Sequence, residues 1–117
     1  LEGHVREAEL QDRILLRLSR EPGVLLWRNN TGVARHWSGG REHLVRYGLG
    51  VGGADLVGIV DGRFFALEVK TIRGAIRGSQ RAWLDLVRRY GGFAAVVRSV
   101  EEAVDAVAAC RRGERGD

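Results

Sequence analysis

The sequence predicts one mixed α/β domain, and three observations predict it. Leu10, Ile14 and Leu18 recur at helical spacing near the amino end. Two apolar runs, ADLVGIV and RFFALEVK, flank an Asp61-Gly62 turn signal and read as a β-hairpin. A helical stripe and a further apolar run then follow, in the order that puts a crossover helix on one sheet face. A chain of 117 residues that is 44% hydrophobic is long and apolar enough for one core.

Taken in order, residues 6 to 20 read as a helix, with Leu15 beside the stripe, broken by Pro22 and Gly23. VLLW, 24 to 27, is a short strand. Residues 28 to 53 read as a long loop rich in glycine and arginine, a length usually tied to function. Trp27, Arg28, Arg35, Trp37, Arg46 and Tyr47 interleave aromatics with bases. The pattern fits a nucleic-acid surface and equally a surface loop with two residues tucked into the core. Strands follow at 54–60 and 63–70, then the loop TIRGAIRG. Ser79 is the expected cap of a helix from 80 to 90, with Trp83, Leu84 and Val87 on its packed face. Trp27 is likewise expected in the core. After Gly91-Gly92 comes a strand at 93–99. Ser99, with Glu102 three residues on, caps a last helix running to about Cys110. The whole of 1–117 is then one domain, with 111–117 a frayed tail.

Nineteen Lys and Arg against 15 Asp and Glu give a formal charge of +4, which suits a polyanionic partner such as nucleic acid. The single cysteine, Cys110, allows no intrachain disulfide and no cysteine-based zinc site, so a cytoplasmic setting is expected. No apolar run reaches membrane-spanning length. The segment LEGHVREAELQ is too charged for a secretory signal, and Leu1 in place of Met points to a trimmed or engineered start.

The chemistry gathers around EVKT. Strand side chains alternate faces, so Glu68 and Lys70 share one side of the sheet and Phe65, Leu67 and Val69 the other. The hairpin register sets Asp55 opposite Glu68. Two carboxylates this close resist joint ionisation, a conflict that a divalent cation resolves. Mg²⁺ takes hard oxygen ligands and keeps several waters. Asp55, Glu68 and the Val69 carbonyl would supply part of its shell, and Lys70 would steady a water or a phosphate charge. An isolated Glu-x-Lys is more often a surface ion pair worth about 0–1 kcal/mol. The ordered set is more specific: GGADL, a hairpin, EVKT, then GSQ and a helix.

That set resembles the PD-(D/E)xK nuclease superfamily and, more narrowly, the VRR-NUC domains, the stand-alone viral and bacterial form of the module in the Fanconi-associated nuclease. The resemblance runs through AELQDRILLRL, WRNNTG, GGADLVGI, RFFALEVKT, GSQRAWL and GGFAAVVRSVEEA, nearly the whole chain. It implies a restriction-endonuclease-like α/β core, a small mixed sheet flanked by helices. It assigns Asp55 to the superfamily's aspartate and Glu68 and Lys70 to its Glu-x-Lys pair. Gln80 takes the glutamine position of the following helix, and Glu9 the acidic position of the first helix, as an added metal ligand or a holder of ligand water. Gly53-Ala54 stands where the pattern nominally has proline before the aspartate.

The implied activity is Mg²⁺- or Mn²⁺-dependent hydrolysis of DNA phosphodiesters, leaving a 5′-phosphate and a 3′-hydroxyl. Implied partners are branched DNA such as Holliday junctions, in repair or recombination, and a second copy of the chain. The dimer surface is expected in the long loop or on a face with Val100, Val104 and Val107. Arg28, Asn29 and Asn30, and Arg73, Arg77 and Ser79 before the second helix, are the expected DNA contacts. Arg28, Asn29 and Asn30 serve equally well as partners for local backbone groups. His4, His36 and His43 have no metal-ligand spacing. The competing readings are a non-catalytic DNA-binding module on the same fold, a metal-free RNase-like subunit, and a structural α/β subunit.

Overall fold

The computed structural model describes residues 6–117, so His4 lies outside the described residues. The elements are α1 (Glu7–Leu18), β1 (Val24–Arg28), β2 (Gly32–Ser38), β3 (Arg41–Tyr47), β4 (Leu56–Val60), β5 (Arg63–Val69), α2 (Gly78–Arg89), β6 (Phe93–Val97) and α3 (Val100–Arg111). Four strands form one mixed sheet in the order β1-β4-β5-β6, and β2 and β3 form a separate antiparallel ribbon. The result is a small α/β domain with three helices on its sheet.

The hairpin turns at Asp61 and Gly62, both with positive φ (48° and 83°), the backbone a type I′ turn requires. Its register pairs Leu56 with Leu67 and Val60 with Arg63, which carries Asp55 to the level of Glu68, as the sequence predicted. β5 then crosses through α2 to β6, its parallel neighbour. Alternation splits the core in two. Leu56, Val60, Phe65, Leu67 and Val69 face α1 and α3, joined by Ile14, Leu18 and Phe93. Ala54, Val57, Ala66 and Ala94 face α2 and Leu84.

α2 covers only the β5–β6 half of its sheet face. Trp27, Leu25 and Ile59 stand on the uncovered half and are exposed, which overturns a core role for Trp27, whereas Phe64, also exposed, has its ring 6.5 Å from that of Trp83 on α2. Trp83 is half-buried and tied down by its Nε1–H, which donates to the Leu49 carbonyl at 2.8 Å.

Four further expectations fail for physical reasons. Residues 28–53 are not one loop, because a ribbon occupies 32–47. α2 starts before Ser79, whose side chain therefore cannot be its N-cap; Gln80 Oε1 instead accepts from the Arg77 amide at 2.9 Å. The proposed dimer face on α3 is already used: Val107 is buried, and Val100 and Val104 pack against the same core. The tail is not frayed, since the Arg115 carbonyl accepts from the Ala94 amide at 3.0 Å and so covers the open edge of β6. The Ser99 cap of α3 holds, with the Glu102 amide donating to its Oγ at 3.0 Å.

Candidate active site

The site lies where β4 begins and β5 ends. Asp55 precedes β4, and its Oδ2 accepts from the Val69 amide at 2.8 Å, which fixes the carboxylate against the neighbouring strand. Glu68 points to the α2 side of the sheet with 1% of its surface exposed, and Lys70 beyond it has 7%. Charged side chains are seldom this buried unless paired. Lys70 Nζ stands 3.4 Å from Glu68 Oε2, and Gln80 Nε2 donates to the same oxygen at 2.9 Å. Gln80 sits in the first turn of α2, so one residue both stabilises the helix start and orients the buried carboxylate.

Glu68 Oε1 is different. It is buried and has no hydrogen-bond partner among the described residues. A buried acceptor left unmatched costs about 1–3 kcal/mol, more when charged, and native proteins keep few of them. The electrostatics follow from the same geometry. Burial, and then the Asp55 carboxylate, push Glu68 up to about 7, against the opposing pull of Lys70. Asp55 is also raised, chiefly by burial, while the Val69 amide works the other way.

Glu9 does not join this group. Its carboxylate pairs with Arg13 at 2.7 Å on a side chain that is 51% exposed. Glu7, one half-turn earlier, takes that place. It is half-buried, and its charge raises Asp55 further. Gly74 makes room for it: a methyl group there would stand 3.3 Å from both Glu7 Oε2 and Lys70 Cδ. A helical position shows which face a residue takes only relative to its stripe. With Leu10 and Ile14 inward, Glu7 continues the inward row at i−3 and i−7, a signal that was present in the sequence.

The expected DNA contacts divide. Arg28 is engaged elsewhere, paired with Asp12 and donating to Gln11 Oε1 at 2.9 Å, so it braces β1 to α1. Asn29 serves the backbone: its Nδ2 donates to the Ala54 carbonyl at 2.9 Å and its Oδ1 accepts from the Leu49 amide at 3.1 Å. Asn30 is exposed beside that bracket. Arg73, Arg77 and Ser79 are exposed along the path from β5 into α2 and follow the Glu68–Lys70 pair in sequence. The loop between is held by Arg98, whose guanidinium donates to the carbonyls of Thr71 and Gly74 at 2.6 and 2.7 Å. Arg98 was not singled out in the sequence, where it reads as one more base after a strand.

Among the described residues, no three His, Cys, Asp or Glu side chains are grouped so as to hold a metal ion by themselves. The arrangement offers two carboxylates, a buried ammonium and strand-end carbonyls around one unmatched oxygen. No family model matches the chain, and no curated protein shows significant similarity to it.

Proposed function

We propose that the chain is a metal-dependent nuclease of the PD-(D/E)xK type, close to the VRR-NUC domains, acting on branched DNA. One observation carries this reading: Glu68 and Lys70, almost fully buried, converge with Asp55 at one sheet end while Glu68 Oε1 has no hydrogen-bond donor among the described residues. Burying two mutually repelling carboxylates destabilises a fold, and such arrangements concentrate at functional sites.

The residues fit a hard divalent cation. Asp55, Glu68 and the Val69 carbonyl would hold it, and Glu68 Oε1 supplies an acceptor that no donor meets among the described residues. With two carboxylates and one carbonyl from the protein, the remaining positions would fall to water, the mode Mg²⁺ favours. Bound there, Mg²⁺ or Mn²⁺ supplies positive charge to a phosphoryl oxygen and lowers the pKa of water.

The protein groups do the rest. Lys70 presents an ammonium with little solvent around it, so its attraction for a phosphate oxygen is only weakly screened. Gln80 and Lys70 hold Glu68 through one oxygen and leave the other free. The Val69 amide locks Asp55. Exposed Arg73 and Arg77 lie along the approach to the site and suit phosphate contacts on either side of a scissile bond. Two copies would present two such sites to paired strands.

A second reading has its own observation. Apart from Glu68 Oε1, the Glu68–Lys70–Gln80 group satisfies itself, as a structural network in a non-catalytic DNA-binding module would. End-labelled four-way junction, splayed-arm, nicked and linear duplex DNAs separate the two. Each is incubated with Mg²⁺, Mn²⁺ or EDTA beside Asp55→Ala and Lys70→Ala. Metal-dependent nicks lost in both variants are expected. Tight binding with no cutting in either metal leaves the DNA-binding module.

A further inference from the structure

The β2–β3 ribbon is the part of the molecule that the catalytic reading does not use. Every residue from Val33 to Tyr47 is exposed. The radius of gyration is 15.5 Å, above the roughly 13 Å expected of a compact chain this long, as an arm standing off the body requires. A two-stranded ribbon alone is marginal in water. This one covers no core and is covered by none, so its use lies in what it meets.

Its two faces differ. Directly opposed residues share a face, so His36 with His43, Ser38 with Arg41, and Tyr47 fall on one side. That side carries hydrogen-bond donors and no carboxylate. The other side has Val33, Trp37 and Leu44, two arginines, Arg35 and Arg46, and the ribbon's one acid, Glu42, 3.7 Å from Arg35. A donor face without acids matches phosphates and base-edge acceptors. It offers itself no counter-charge: a two-fold pair of such faces would bring in Arg41 from both copies with no carboxylate to meet it.

Size and placement agree. Strands of seven residues at about 3.3 Å each reach about 23 Å, and a B-form major groove about 12 Å wide admits a two-stranded ribbon. The turn at Gly39-Gly40 keeps the tip narrow, with both φ values positive at 61° and 76°. The base is anchored at the candidate active site. Asn29 brackets Leu49 to Ala54, the residue before Asp55, and Gly52 lies against the Ser79 carbonyl so closely that any side chain there would collide. A cleft of about 240 Å³ lined by Arg46, Tyr47 and Thr31 opens at that base.

We infer that the β2–β3 ribbon is a duplex-binding arm that seats its His36–Arg41–His43–Tyr47 face in the major groove of B-form DNA next to the Asp55–Glu68–Lys70 site. The inference rests on the nuclease reading and narrows its substrate to DNA with a duplex arm flanking the cut.

The test uses the whole chain carrying Lys70→Ala, so that binding is read without cutting. Anisotropy of a labelled DNA duplex is compared with that of an RNA duplex of the same sequence, whose A-form major groove is too narrow to enter. His36→Ala/Arg41→Ala/His43→Ala is expected to weaken DNA binding by about tenfold or more and to lower the salt slope by about 1. Trp37→Ala/Leu44→Ala, on the opposite face, is expected to change it little. All these side chains are exposed, so the thermal midpoint should stay put. Equal affinity for the two duplexes, or unchanged binding in the triple variant, overturns the arm. So does a loss of dimer in sedimentation with DNA affinity intact, which would make the ribbon a self-association device. If the unsubstituted chain cuts DNA while any of these holds, only the arm is lost. If it neither cuts nor binds, the nuclease reading falls with it.

Discussion

The sheet and the ribbon are built from similar residues and put to opposite uses. In β5, Phe65, Leu67 and Val69 are fully buried, and even Glu68 is taken inside. In β3, Leu44 is 70% exposed and every other residue of the strand is exposed too. Both are seven-residue strands in antiparallel hairpins with two-residue turns. What separates them is cover: α1, α3 and α2 pack on the sheet, and among the described residues no helix packs on the ribbon. The body therefore holds the stability and the unfavourable charge placement, and the ribbon holds neither. Substitutions should sort accordingly.

The largest effect is expected at the sheet end. Lys70→Ala removes the buried ammonium and should lower single-turnover DNA cleavage by about a thousandfold, the order seen when one charge-stabilising group is lost. Duplex binding by the same variant should fall far less. Next comes packing. Leu67→Ala leaves a cavity in a fully buried position and should cost about 2–5 kcal/mol in urea unfolding. Leu44→Ala, the same change on the ribbon, should stay within about 0.5 kcal/mol. Equal losses at the two positions would mean that the ribbon packs on something and that the contrast is false.

The difference between the two hairpins also explains what the sequence could show. ADLVGIV-DG-RFFALEVK is legible because burial imposes apolar runs and a register, which placed Asp55 opposite Glu68 correctly. The ribbon has the same grammar at GVARHWS-GG-REHLVRY, a Gly-Gly turn between two equal runs. It was missed because neither face is buried, so no apolar alternation marks it. Trp27 failed for a related reason: its strand is apolar on both sides, but only tertiary placement of α2 decides which part of a face is covered. Arg28 and Asn29 read as ligand contacts because side chains that serve the backbone and those that serve phosphate look alike in sequence. Gln80 and Lys70 both meet the Glu68 carboxylate.

A third effect separates function from stability within the body. The folded state raises Glu68 to about 7 from 4.5, so it binds a proton that the unfolded chain releases. Stability then falls as pH rises from about 4.5 through 7, because the native state holds more protons over that window. Glu68→Gln keeps the shape and removes the titration. In EDTA it should match the parent near pH 5 and be more stable by roughly 1–3 kcal/mol at pH 8. Divalent metal should narrow that gap by stabilising the parent alone. A gap that does not grow with pH would show that the carboxylate is not strained by burial.

The joint between body and ribbon should respond more weakly. Asn29→Ala breaks two hydrogen bonds at the ribbon base, at a cost of about 1–2 kcal/mol. Hydrogen exchange should speed at the Leu49 amide and remain slow at Val69. Even loss across both would mean that the base is part of the cooperative core.

The smallest effect is the sharpest in kind, since it compares two acids on one helix. Glu9 is paired to Arg13 in solvent, whereas Glu7 faces Gly74 and the Lys70 stem and adds its charge to the field at Asp55. Neutralising Glu7 removes a repulsion, so the Asp55 carboxylate should ionise more readily. Glu7→Gln should therefore shift the acid limb of the cleavage profile to lower pH, and Glu9→Gln should leave the profile where it is. The expected displacement is small, because the Glu7 charge is partly screened, with an effective dielectric of about 20 near a protein surface. The sign carries the result. A shift to higher pH, or a larger change with Glu9→Gln, would place the first-helix acid among the proposed metal ligands instead of in their surroundings.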